Sequence, residues 1–150
     1  VIDRVKKGGW RVIDRGTAQS QDEKIEIMRR ALLCDTYLTG ANAISEDGEI
    51  VNVDGNGNRV AAMTFGPKSV IVACGMNKVV KTAEDALSRA RNTAAPVNAQ
   101  RFDIRTPCKT TGTCADCKST DSICSYIVRT RLCKPAGRIK VVLVGKTLGF

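Results

Sequence analysis

Apolar residues first recur at helical spacing over Ile25, Met28, Ala31 and Leu32. They follow Ser20-Gln-Asp-Glu23, a Ser with a Glu three residues on that reads as a capping box. The pattern predicts a helix over 21–33 with that stripe in the core. Strand-like runs come next. Thr36–Thr39 reads as a short strand running into Gly40, and Glu49–Val53 as another, reached through the turn Glu46-Asp47-Gly48. Val60–Phe65 predicts a short helix that stops at Gly66-Pro67. Val70–Cys74 is continuously apolar, as befits a strand covered on both faces of a parallel sheet. A second capped helix starts at Thr82, with Asp85 three residues on and Ala83, Ala86, Leu87, Ala90 and Ala94 along one face, and is expected to end near Pro96. Residues 103–124 read as irregular loop. Tyr126–Leu132 and Ile139–Val144 read as two closing strands joined as a hairpin through Lys134-Pro-Ala-Gly137.

Strands alternating with helices of ten or more residues point to an α/β fold with a largely parallel sheet, to which the terminal hairpin adds an antiparallel edge. A chain of 150 residues with 43% apolar content suits one domain with a real core. Its longest apolar runs, around Val70–Gly75 and Ile139–Gly145, fall far short of the roughly 20 residues that cross a bilayer. No membrane span is expected. No basic-then-apolar leader precedes the first helix-like segment, so no secretion signal is expected either, and the expected compartment is the cytoplasm.

The chain has no histidine, which excludes a Ser-His-Asp triad, a paired-His zinc helix and any His metal ligand within it. Acid–base chemistry falls to carboxylates, lysines or cysteines. Residues 1–75 carry 10 Lys and Arg against 10 Asp and Glu, and residues 76–150 carry 14 against 5, so the net charge of +9 lies in the second half. The partner of that half is expected to be anionic. With aromatics at 4% and no recognisable nucleic-acid module, nucleic acid is not the expected one. The basic groups can equally offset thiolates bound to a metal.

Two constellations carry candidate chemistry. From Gly40 to Arg59 small residues alternate with Asn42, Glu46, Asp47, Asn52, Asp54, Asn56, Asn58 and Arg59, while Gly48, Gly55 and Gly57 relieve backbone sterics. Read structurally, this is a pair of tight turns. Read functionally, Gly40, Asn42, Asn52, Asn56, Asn58 and Arg59 surround a ligand pocket at the C-terminal edge of the sheet. Arg59 then holds a carboxylate or phosphate by two parallel hydrogen bonds, and Glu46 or Asp54 is the candidate general base.

The second constellation is Cys108-x5-Cys114-x2-Cys117-x6-Cys124, four of the seven cysteines within 17 residues. An odd total and this crowding fit a metal site in a reducing compartment better than a disulfide framework. The set suits tetrathiolate zinc or an iron–sulfur cluster, although its spacing matches neither a zinc ribbon nor the bacterial ferredoxin run. Cys34, Cys74 and Cys133 read as small core residues.

The run Leu38-Thr-Gly-Ala-Asn-Ala-Ile-Ser-Glu-Asp-Gly-Glu-Ile-Val-Asn-Val-Asp-Gly-Asn-Gly-Asn-Arg59, followed by Val60-Ala-Ala-Met and Phe65-Gly-Pro-Lys68, strongly resembles the LUD domain of lactate-utilisation proteins. The likeness continues through Val70-Ile-Val, Gly75, Asn77-Lys78, Ala94-Ala-Pro96, Thr106-Pro-Cys and Gly137-Arg-Ile-Lys to Leu148-Gly-Phe150, so it covers nearly the whole chain. It implies a Rossmann-like three-layer fold of the ribose-5-phosphate isomerase and CoA-transferase type. It also implies that residues 1–150 form a single LUD domain lacking an N-terminal portion with a Gly-rich strand-to-helix turn. The functions it implies are a part in oxidising lactate or a related hydroxy acid beside an iron–sulfur or oxidoreductase partner protein, an isomerase-like or CoA-transferase-like activity, or non-catalytic ligand binding with a structural zinc. A homodimer is left open.

Overall fold

The structure, a computed structural model, describes residues 2–150. Its elements in chain order are α1 (Ile2–Lys7), α2 (Gln21–Ala31), β1 (Thr36–Thr39), β2 (Ala43–Ser45), β3 (Ile50–Asp54), α3 (Asn58–Thr64), β4 (Ser69–Gly75), β5 (Val79–Val80), α4 (Ala83–Arg89), α5 (Ala95–Ala99), α6 (Pro107–Thr111), β6 (Tyr126–Thr130) and β7 (Ile139–Val144). They form a mixed α/β fold with two open sheets, consistent with a Rossmann-like arrangement. One sheet is wholly parallel, in the order β1-β4-β7, and the other runs β5-β2-β3-β6 with antiparallel β2-β3 and β3-β6 pairs. Among the described residues no helix is long and apolar enough to cross a membrane.

Alternation along β3 explains how the layers stack. Ile50 joins Ala41, Ile44, Met63, Val70, Val72 and Cys74 in a core between the sheets. Val51 and Val53 turn the other way and pack with Ala43, Ala86, Ala90 and Ala95 under the α4–α5 run. Small Ala side chains let that run lie close on the sheet. The four-stranded sheet is therefore covered on both faces. The parallel sheet buries Val70, Val72 and Cys74 on one face, and its edge strand β7 leaves Val141, Val142 and Leu143 41–49% exposed.

Both caps form. Ser20 Oγ accepts the Glu23 N–H at 3.1 Å, but the Glu23 carboxylate accepts from the N–H of Gln19 rather than of Ser20. The Thr82–Asp85 box is reciprocal. The stripe of α2 is only half buried, and no residue of that helix enters the core.

The expected hairpin between β6 and β7 does not form. β6 pairs antiparallel with β3, from Ile50↔Thr130 to Asp54↔Tyr126, whereas β7 pairs parallel with β4, from Val70↔Ile139 to Gly75↔Val144. Residues 131–138 cross from one sheet to the other. Arg138, 8% exposed, anchors the crossing by donating to the carbonyls of Ala62 and Met63 at the end of α3. The helical run from Thr82, expected to end near Pro96, continues to Ala99. A π-turn over Ala90–Ala94, closed by Ala95 N–H to the carbonyl of Ala90, places Pro96 in the first turn of α5, where a missing N–H costs nothing. The 103–124 segment is irregular apart from α6, which stops at Gly112 in the left-handed conformation. Ala43–Ser45 forms β2, an inner strand of the four-stranded sheet between β5 and β3.

Candidate functional site

Asp54 ends β3, and its Oδ2 accepts the N–H groups of Arg59 and Val60 at 3.0 and 3.2 Å. The N-cap position of α3 is Gly57, left-handed and without a side chain, so Asp54 caps the helix in its place. Capping aims Arg59 back across the open end of the β2–β3 hairpin. Its Nη1 donates to the carbonyl of Gly40 at 3.2 Å and to Asn52 Oδ1 at 2.9 Å, and its Nη2 to Asn42 Oδ1 at 2.9 Å and the carbonyl of Val53 at 2.8 Å. The asparagines bind the backbone in turn, Asn52 Oδ1 accepting from Asn42 N–H and Asn42 Oδ1 from Val53 N–H.

The structure thus brings together Gly40, Asn42, Asn52, Asp54 and Arg59, but it corrects the role expected of the arginine. The guanidinium fork is committed to the protein's own acceptors, with Asp54 Oδ2 a further 3.9 Å from Nε. Burial lowers its pKa and the Asp54 carboxylate opposes that. Asn58 is half buried in the first turn of α3, and Asn56 is exposed in the loop before it. Glu46 is exposed at the turn end of the hairpin, roughly 13 Å from the Arg59 node along β3 at about 3.3 Å per residue.

Beside this node lie two cations that sequence reasoning missed. Lys78 Nζ donates to the carbonyl of Ala41 at 3.0 Å, while Arg89 donates through Nε to the carbonyl of Asn77 at 3.0 Å and through Nη1 to that of Asn42 at 2.5 Å. Asn77-Lys78 is among the residues that carry the family likeness, but no spacing marks either cation as a site residue, because the contacts span 37 and 47 residues of chain.

The cysteines of the second constellation, Cys108, Cys114, Cys117 and Cys124, border one cavity of about 40 Å³, walled also by Arg91, Pro96 and Ile127. Arg91 Nη2 donates to Cys114 Sγ at 3.6 Å and pairs with Asp116 at 2.5 Å, and Thr106 Oγ1 lies 3.4 Å from Cys108 Sγ. Burial pushes the Cys124 thiol up to about 11, the other three thiols add to the rise, and Arg91 opposes it. Among the described residues no group of three or more Cys, Asp or Glu side chains is placed to hold a single metal ion. Every cysteine is a free thiol; Cys74 is in the core, Cys34 is half buried, and Cys133 sits in the crossing between sheets, its Sγ accepting the Ile139 N–H at 3.1 Å.

No curated protein and no solved structure matches the chain. The family model of the LUD domain matches residues 1–144, nearly the whole length over which the two sheets, the Arg59 node and the thiol cavity are built, and the chain belongs to the LUD domain family.

Proposed function

We propose that this LUD protein takes part in using lactate or a related hydroxy acid, binding a small anionic ligand at the C-terminal edge of the parallel sheet and an iron–sulfur or zinc centre on Cys108, Cys114, Cys117 and Cys124. The observation that carries the reading is the convergence of all four thiols on one cavity beside Arg91. That donor set fits a metal centre. Four thiolates are the donor set of both tetrathiolate zinc and an iron–sulfur cluster, and the lactate-oxidation context of the family favours the cluster. Such a cluster supplies electron transfer when bound. Arg91 would donate to its sulfur ligands and balance its negative charge, and an oxidoreductase partner would pass the electrons on. Free thiols throughout the chain suit a reducing, cytoplasmic setting.

Glu46 and Asp54 serve an isomerase-like or CoA-transferase-like reading less well, since Asp54 caps α3 and Glu46 lies at the far end of the hairpin. Anaerobic purification followed by visible spectroscopy and metal analysis tests the proposal. Broad visible absorbance with stoichiometric iron, lost on replacing any of the four cysteines by Ser, is expected. Colourless protein with stoichiometric zinc would leave the centre structural and remove the redox role, and metal-free protein that takes up neither would overturn the centre.

A further inference from the structure

Lys78 and Arg89 are half buried, and their hydrogen bonds go to the neutral carbonyls of Ala41, Asn42 and Asn77. Among the described residues neither has a carboxylate within ion-pair distance, whereas Arg59 next door has Asp54. The two heads hang on the adjacent carbonyls of Ala41 and Asn42; burial lowers the pKa of both, the Arg89 charge lowers that of Lys78 further, and the Cys74 thiol opposes the shift in each. Two like charges partly withdrawn from water without a counter-ion make an unfavourable arrangement that an anion would relieve.

The place also suits a ligand. Ala41 follows the end of β1 and Asn77 the end of β4, neighbouring strands of the parallel sheet, so both cations stand over its C-terminal edge. Lys78 retains two N–H donors and Arg89 retains Nη2, enough to bind both oxygens of one carboxylate. The chain's last residues wall the outer side. Asn77 Oδ1 accepts from Leu148 N–H at 3.1 Å, and its Nδ2 donates to the carbonyl of Gly149 at 3.2 Å. Gly149 passes so near Lys78 that a Cβ there would lie 3.2 Å from Nζ.

We infer that Lys78 and Arg89, rather than the committed fork of Arg59, form the receptor for the carboxylate of a small hydroxy acid. The inference rests on the proposal that the chain binds a small anionic ligand and assigns the residues that hold it.

Calorimetric titration of the full chain with L-lactate, and separately with inorganic phosphate, tests this. Lys78→Gln and Arg89→Gln are each expected to weaken binding at least about tenfold, the loss typical of a hydrogen bond to a charged group. Lys81→Gln, at an exposed neighbour, should leave it unchanged. If Arg89→Gln fails to fold by circular dichroism, Lys78→Gln decides alone. Wild-type affinity in the folded variants would overturn the assignment while sparing the anion-binding proposal, and absence of binding by the wild type would overturn both. Phosphate bound through Lys78 and Arg89 without lactate would uphold the site and remove the hydroxy-acid reading.

Discussion

Arg59, expected to grip an anionic ligand, has its fork on the protein's own acceptors. A run dense in Asn and Gly that closes on an Arg marks both a ligand pocket and a backbone knot, and which it becomes depends on how many nearby carbonyls lack a partner. Here Gly40 and Val53 offer carbonyls at the open end of the hairpin, and the guanidinium satisfies both. Arg59→Lys should therefore act on stability. Three donors on one nitrogen cannot reach four spread acceptors, so buried oxygens are left unpaired at about 1–3 kcal/mol apiece. We expect a loss of about 3 kcal/mol by urea denaturation; a drop under about 0.5 kcal/mol would show that the node does not hold the hairpin open end together. The roles of Lys78 and Arg89 were illegible for the opposite reason, since Asn77-Lys78 marks the family without marking a site, and each is an ordinary basic residue until the fold turns it inward.

At the scale of elements, local chemistry was legible and pairing was not. The Thr82–Asp85 box is a three-residue rule that tertiary structure leaves intact. The β6–β7 hairpin rested on a turn-like Lys134-Pro-Ala-Gly137, yet those residues serve a crossing, and the partners of both strands lie more than 60 residues away. The cysteine segment lies between these cases. Its thiols were legible as a group, while the wall they share with Arg91 and Pro96 depends on a π-turn that no spacing announces. Residues 103–124 have few large apolar side chains to offset the entropy of ordering them, so metal should supply that stabilisation. Hydrogen exchange on metal-loaded and chelated protein checks this. Protection should fall within 103–124 on chelation and hold in β3 and β4, and protection unchanged across 103–124 would count against a metal-ordered loop.

For the molecule as a whole, the two sheets share an apolar core, and the buried Arg138 adds a polar tie beside it. Arg138 immediately precedes β7 and closes its guanidinium on the carbonyls of Ala62 and Met63 near the end of α3, which packs Met63 into the core between the sheets. A cation at a helix C-terminus is also favoured by the helix dipole. Arg138→Met fills similar space but leaves those carbonyls unpaired, so about 2–3 kcal/mol should be lost in urea melts; an unchanged midpoint would mean that the crossing is held elsewhere. The edge strand β7 has a consequence of another kind. Val141, Val142 and Leu143 are all about half exposed on a strand with one side unpaired, and bare apolar edges of this sort template growth by strand addition. Light scattering should then rise at high protein concentration and be suppressed by Val142→Lys, whereas equal scattering from the variant would clear this edge as the nucleating surface.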